Sequence, residues 1–172
     1  MCLAVAKIGH LDILMWARDN GCHWNTITCL NAAEAGNIEI LKWAREAGCD
    51  WSRLTTYAAA REGHGEVLKW LKANRCPCGS NVVEALAGLR NLELLKWAVK
   101  EERSEFGTYC LLSAVKGESI KMLDWLKANG CPINLYTHLS TLAAERSSIK
   151  ILKWLHAQHC PLSYTTREGA IE

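Results

Sequence analysis

Tryptophan recurs at Trp16, Trp43, Trp70, Trp97, Trp125 and Trp154, with spacings of 27, 27, 27, 28 and 29 residues. Self-similarity at a fixed period of this length marks a repeat array, in which each unit is one supersecondary element that cannot bury its apolar faces alone. The spacing defines six units, near 2–28, 29–55, 56–82, 83–109, 110–139 and 140–166, with 167–172 reading as the start of a seventh. Ala6, Ala33, Ala60, Ala87, Ala114 and Ala144 fall on the fifth place of each unit, and Leu14, Leu41, Leu68, Leu95, Leu123 and Leu152 stand two residues before each Trp. A constant Ala is expected where backbones approach closely, and a constant Leu-x-Trp where a core layer is rebuilt in every unit. This register places one extra residue at Glu118–Ser119 and two in "PINLYTHL", in turns that tolerate insertion.

Each unit reads as two short helices. In the second, helix one covers "CLNAAEA" behind a Thr28 cap. Gly36–Asn37 breaks it, and helix two covers "IEILKWAREA" up to a Gly48 stop. No stretch alternates with period two for long enough to be a strand. The expected fold class is all-α, a solenoid of stacked helix-turn-helix repeats forming a single domain over 1–172.

Net charge is +2, from 20 basic and 18 acidic residues, too balanced to imply a polyanionic partner. No apolar run approaches the roughly 18 residues of a membrane span, and the N-terminus lacks the pattern of a secretory signal. Nine Cys is an odd count for a disulfide scaffold, so reduced thiols in an intracellular protein, cytoplasmic or nuclear, are expected.

The segments "GHLDILMWARDNGC", "AAEAGNIEILKWAREAGCD" and "AAREGHGEVLKWLKANRC" resemble ankyrin repeats, whose helical part reads roughly A-A-x-x-G-H-x-E-V-V-x-x-L-L-x-x-G-A-D. Cys22, Cys49 and Cys131 stand where that pattern has the Ala of Gly-Ala-Asp. An ankyrin unit has about 33 residues. The shortfall here lies where ankyrins carry a β-turn finger, and Thr-Pro-Leu-His is absent. The chain is most similar to the short, Trp- and Cys-rich ankyrin-like repeats of giant viruses, oomycetes and algae, which also admits a viral protein acting in a host cell. The resemblance implies a helical solenoid that binds other proteins, with shortened or absent fingers. It leaves open a fragment of a larger protein, with an attached domain such as an F-box.

Three columns invite a chemical reading. Cys22, Cys49, Cys76, Cys131 and Cys160 spread along the axis, whereas a metal site needs converging ligands. Equivalent residues of stacked helices lie too far apart for a disulfide. Buried thiols in place of Ala are therefore expected, and a Cys-based metal or redox protein is the third choice. The Trp column is expected in the core rather than as a base-stacking array. Lys42, Lys69, Lys96 and Lys153 suggest nucleic acid, but Glu39, Glu66 and Glu93 stand three residues before the first three and neutralise them. His10 and His64 are expected to satisfy backbone in the interhelical turns.

No nucleophile–base set, metalloprotease motif or phosphate-binding glycine loop is found in the sequence, so the expectation is a non-enzymatic protein with no cofactor and no metal. The expected function is protein–protein interaction, with a nucleic-acid-binding repeat as the alternative. Ankyrin-type proteins bind through first helices and inter-repeat loops. Carried onto this chain, that implies Lys7, Glu34, Arg61, Glu62, Lys116 and Arg146 near the ends of the first helices. In the loops it implies Trp24, Trp51, Arg53, Ile133, Leu135 and Tyr136. For Trp24 and Trp51 the sequence supports loop packing and recognition equally. Unit four departs from the pattern: Arg90 replaces the first Gly and "EERSEFG" replaces the Gly-Cys turn.

Overall fold

The structure is a computed structural model that describes residues 2–79, 81–102, 106, 109–132 and 138–160. Among these the secondary structure is helical, twelve helices arranged as six pairs. The first helix of each pair is α1 (Cys2–Ile8), α3 (Thr26–Glu34), α5 (Arg53–Arg61), α7 (Asn81–Ala87), α9 (Cys110–Lys116) and α11 (Leu139–Glu145). The second is α2 (Leu11–Asp19), α4 (Ile38–Glu46), α6 (Gly65–Ala73), α8 (Leu92–Glu102), α10 (Ile120–Ala128) and α12 (Ile149–Ala157). The chain forms two compact units, Met1–Val82 and Val83–Glu172. In the first, α1, α3 and α5 stack side by side and α2, α4 and α6 each lie on their own first helix. In the second, α9 stacks on α11, with α10 and α12 behind them.

Small residues permit the close stacking of first helices. Ala6, Ala32, Ala33, Ala59 and Ala60 are all fully buried there. Leu14, Leu41, Leu68, Leu95 and Leu123 are likewise fully buried, so that column builds the core as expected. Emptying one such Leu site costs about 2–5 kcal/mol.

The first helices begin earlier than the sequence suggests. α3 starts at Thr26, with Asn25 as its N-cap; Asn25 accepts from Ile27 N at 2.9 Å while the Asn25 N–H donates to Thr28 Oγ1 at 3.4 Å. Ser52 and Thr55 repeat this reciprocal cap on α5. Thr28 is thus the third residue of the helix, closing the cap from inside, rather than the cap itself. Such caps satisfy amides that would otherwise be orphaned.

Five of the second helices, α2, α4, α6, α10 and α12, end in one motif. Gly48 N donates to Arg45 O and Cys49 N to Ala44 O, a Schellman cap with Gly48 at φ +81°. The same pair of bonds recurs at Gly21–Cys22, Arg75–Cys76, Gly130–Cys131 and His159–Cys160. The Cys column is the residue after the left-handed one. That place turns inward, and Cys49, Cys76, Cys131 and Cys160 are buried in it.

Two registers need correction. The turn at Glu118 matches those at Gly36 and Gly63: Glu118 N bonds to Val115 O as Gly36 N bonds to Ala33 O. Val115 therefore occupies the Ala column, not Ala114, and the extra residue of this repeat falls before α9, not at Glu118–Ser119. The Trp column is not core. Trp43, Trp70, Trp97 and Trp125 are half-buried, Trp16 is 61% exposed, and only Trp154 is buried. The Leu two residues earlier takes the inward direction, leaving each indole on the shoulder of its helix.

Candidate interaction surface

The first unit holds the loop tryptophans in a repeated clamp. Trp24 meets Trp43 of the next repeat edge to face, with ring centroids 5.2 Å apart, and the Arg18 guanidinium lies 4.5 Å over the Trp24 ring. Trp51 meets Trp70 at 5.8 Å under Arg45, again at 4.5 Å. Each Arg is also tied to its own loop: Arg18 Nη1 donates to Cys22 O and Arg45 Nη1 to Cys49 O, both at 3.3 Å. The signal is "WARxxGCxW", twice over. In the second unit Phe106 plays the same part against Trp125, at 6.0 Å. Sequence reasoning missed Phe106 because the extra residue shifts it by one. Counted back from the following Trp, it stands nineteen residues before, as Trp24 and Trp51 do.

Beside these clamped rings the apolar surface continues into solvent. Ile27 is 45% exposed and Leu54 is 51% exposed, each three residues after a loop Trp at the start of a first helix. Arg53 lies next to Leu54 and is exposed. Ile27 and Leu54 were absent from the sequence candidates; an apolar residue at a place where the helix register calls for a polar one was the available signal. Ile133, Leu135 and Tyr136 lie outside the described residues.

The candidates at the ends of the first helices come together as a charge ladder. Glu34 Oε1 accepts from Lys7 Nζ at 3.3 Å and from Arg61 Nη2 at 3.2 Å, and Arg61 Nε pairs with Glu62 at 2.8 Å. The Glu62 carboxylate beside it raises the Arg61 pKa. These residues vary between repeats because alternating signs complement each other across the stack. In the second unit Glu118 lies between Arg90 and Arg146, at 3.5 and 3.8 Å, and Arg90 Nε donates to Gly117 O at 2.9 Å. Arg90, out of pattern in the sequence, thus ties its repeat to the next. Lys116 lies with Leu112, His138, Leu142 and Glu145 around an open groove between α9 and α11.

On the second helices Lys42, Lys69 and Lys96 pair with Glu39, Glu66 and Glu93 at 3.0, 2.9 and 2.8 Å. Asp124, which interrupts that column, accepts from Trp154 Nε1 at 2.6 Å. His64 Nε2 reaches Glu34 O at 3.0 Å, so it satisfies the backbone of the preceding repeat; Asn37 Nδ2 does the same for Ala6 O at 3.1 Å.

The cysteines depart from the expected isolation. Within a repeat, the Cys fourteen residues before the Trp meets the Cys six residues after it. The sulfurs of Cys2 and Cys22 are in bonding contact, with Cα atoms 6.4 Å apart. Cys29 and Cys49 occupy the same two places in the next repeat, where the Cys49 thiol donates to Asn25 O at 3.3 Å. The neighbouring Cys49 thiol, then burial, raises the Cys29 pKa, whereas the contact with Cys29 lowers that of Cys49 against the opposing effect of burial. The expectation of nine separate thiols considered one column only; the partner column belongs to the same repeat. Among the described residues no group of three or more His, Cys, Asp or Glu is placed to hold a metal ion, and no helix is long and apolar enough to cross a membrane.

The sequence matches no protein-family model and no curated protein. The structure is similar to the crystal structure of the human ASB11 ankyrin repeat domain, with a TM-score of 0.68 over 91% of this chain and 82% of that one, at 14% sequence identity. The fold is therefore that of an ankyrin-repeat domain, a helical solenoid in which the inter-repeat loops of the first unit carry clamped tryptophans.

Proposed function

We propose that the chain is a non-catalytic protein-interaction module, intracellular, and related to the short Trp- and Cys-rich ankyrin-like repeats. The partner surface is the edge where loops meet the starts of the first helices. The observation that carries this reading is the row formed by exposed Ile27, Leu54 and Arg53 beside Trp24 and Trp51. Apolar and Arg side chains anchored by rigid aromatic neighbours are the groups that dominate protein interfaces. The charge ladder of Lys7, Glu34, Arg61 and Glu62 supplies polar groups at the far ends of the same first helices, and Lys116, Arg146, Ile133, Leu135 and Tyr136 are further candidates for partner contact. Nucleic acid is the weaker reading, since three of the four column lysines are engaged with glutamates.

The test starts from a partner cross-linked to the full chain and then purified. Ile27→Asp with Leu54→Asp and Arg53→Ala is expected to weaken its binding at least about tenfold, roughly 1.4 kcal/mol, with unchanged helicity by circular dichroism. Lys42→Ala with Lys69→Ala is the matched control and leaves binding intact. Loss of binding in the lysine variant alone would place the partner on the opposite side.

A further inference from the structure

The geometry points to a dithiol modification site in the first unit: Cys2 with Cys22, and Cys29 with Cys49, each closing to an intra-repeat disulfide by exchange with a small-molecule disulfide. The juxtaposition is a property of the repeat, independent of partner binding. The two places face each other because the capped end of the second helix turns back over the start of the first. In the third repeat the same contact is made without a second thiol: Thr56, in the place of Cys29, donates to Pro77 O at 2.8 Å, next to Cys76. In the sixth the two places hold Ser140 and Cys160. Only two repeats place Cys at both, and both lie in the first unit.

The first pair satisfies what exchange requires, and the second occupies the same two places one repeat on. The Cα separation of 6.4 Å between Cys2 and Cys22 lies within the range a disulfide spans. Cys2 N also donates to Cys22 Sγ at 3.2 Å, which holds the Cys22 sulfur at the start of α1. Cys22 is half-exposed, so it is the sulfur a reagent meets first, while Cys2 is buried. In the second pair both sulfurs are covered, with Cys49 1% exposed. The Cys49 thiol donates to Asn25 O at 3.3 Å, so it must leave that bond before it can attack.

The chemistry balances with the disulfide as oxidant. The Cys22 thiolate, its proton lost to water, attacks one sulfur of R–S–S–R and expels RS⁻, leaving Cys22–S–S–R. Cys2, deprotonated in turn, attacks the Cys22 sulfur and expels the second RS⁻. Both leaving thiolates take protons from water. Two protein thiols become one disulfide, and one small disulfide becomes two thiols. Cys49 and Cys29 follow the same course, more slowly because the pair must first open. The closed bond ties the loop before Trp24 or Trp51 to the start of the first helix of its repeat.

The test uses the full chain, reduced and freed of reductant, carrying Cys78→Ser to remove the half-exposed thiol outside both pairs. It is treated with 4,4′-dithiodipyridine, which releases one coloured thiopyridone per exchange step. Two equivalents are expected in a fast phase and two in a slower one. Peptide mapping without reductant is expected to find Cys2 linked to Cys22 after the first phase and Cys29 to Cys49 after the second. Cys22→Ala is expected to abolish the fast two-equivalent phase and leave the slow one. Mixed adducts that persist on Cys22 or Cys49, or links that scatter to other cysteines in the folded chain, would overturn the assignment.

Discussion

Trp51→Ala tests whether the loop clamp holds the repeats together. Trp51 is half-buried, so it hides well over half of its surface. Taking roughly 150 Å² as hidden at about 25 cal/mol per Å² gives about 3.8 kcal/mol. Compactness of the unfolded chain lowers that by about 10–40%. The edge-to-face pair with Trp70 adds about 1 kcal/mol and the Arg45 stack about 0.5 kcal/mol. A loss of roughly 4–5 kcal/mol is expected, much more than the near-neutral effect expected of a ring held out for a partner. Urea denaturation followed by far-UV circular dichroism measures it. A double-mutant cycle of Trp51→Ala with Trp70→Ala isolates the ring pair, with an expected coupling of about 1 kcal/mol. Trp16→Ala is the internal comparison. It removes the same residue type from the helix column to which Trp70 belongs, yet Trp16 is 61% exposed and no aromatic partner is found for it among the described residues. Its loss should stay below about 1 kcal/mol. If Trp51→Ala costs no more than Trp16→Ala, the clamp is not a structural contact and the reasoning fails.

Gly36→Ala and Gly48→Ala should separate two costs. Both glycines have positive φ, which costs an Ala about 1–2 kcal/mol, but a Cβ on Gly36 would also stand 2.8 Å from the His64 ring, while one on Gly48 meets nothing within 4 Å. Denaturation midpoints should rank Gly36→Ala as the worse, and His64→Ala should recover part of the difference; equal costs would refute the inter-repeat contact. Asp124→Ala should cost about 1–3 kcal/mol by orphaning the indole N–H of buried Trp154, and an unchanged midpoint would argue against that bond. Burial pushes the Cys76 thiol up to about 12 and Cys131 up to about 11, from 9.0. Above pH 9 the unfolded chain loses protons the folded chain keeps, so the stability these thiols supply is present below pH 9 and falls as pH rises through 9–12. The slope is at most about 1.4 kcal/mol per pH unit for each thiol, and Cys76→Ala with Cys131→Ala should flatten it in urea titrations across that range.

The helix pairs were legible because one core rule repeats: Leu two residues before each Trp is fully buried in five of the six repeats. The direction of the Trp was not, because an i, i+2 pair cannot share one helix face. Once Leu41 points inward, Trp43 must turn to the flank, where only the fold reveals that Trp24 awaits it. The Asn25 and Ser52 caps were hidden by the constant Ala that follows later in the helix and drew the start too far downstream. The cysteine pairs were missed for a different reason. Comparing like positions across repeats exposes what stacks along the axis, whereas Cys2 and Cys22 meet across one repeat and belong to different columns.

The clamps also account for how a shortened repeat keeps its connections ordered. A 33-residue ankyrin unit has room for a finger that pairs with itself through backbone hydrogen bonds. Here the link from α2 to α3 and from α4 to α5 is only six residues, Asn20–Asn25 and Ala47–Ser52, too few for a hairpin. Order must come from side chains. The Schellman cap fixes where the loop leaves the second helix, and the reciprocal cap fixes where it enters the next first helix. Between them the loop Trp is gripped from both sides, by the Arg of the repeat it leaves and the Trp of the repeat it enters. Each loop is thereby pinned at three points. On the proposed reading, Ile27 and Leu54, in the first turn of a helix immediately beyond the clamp, would meet a partner with little backbone left to order, the condition under which a small apolar contact contributes most of its burial to affinity.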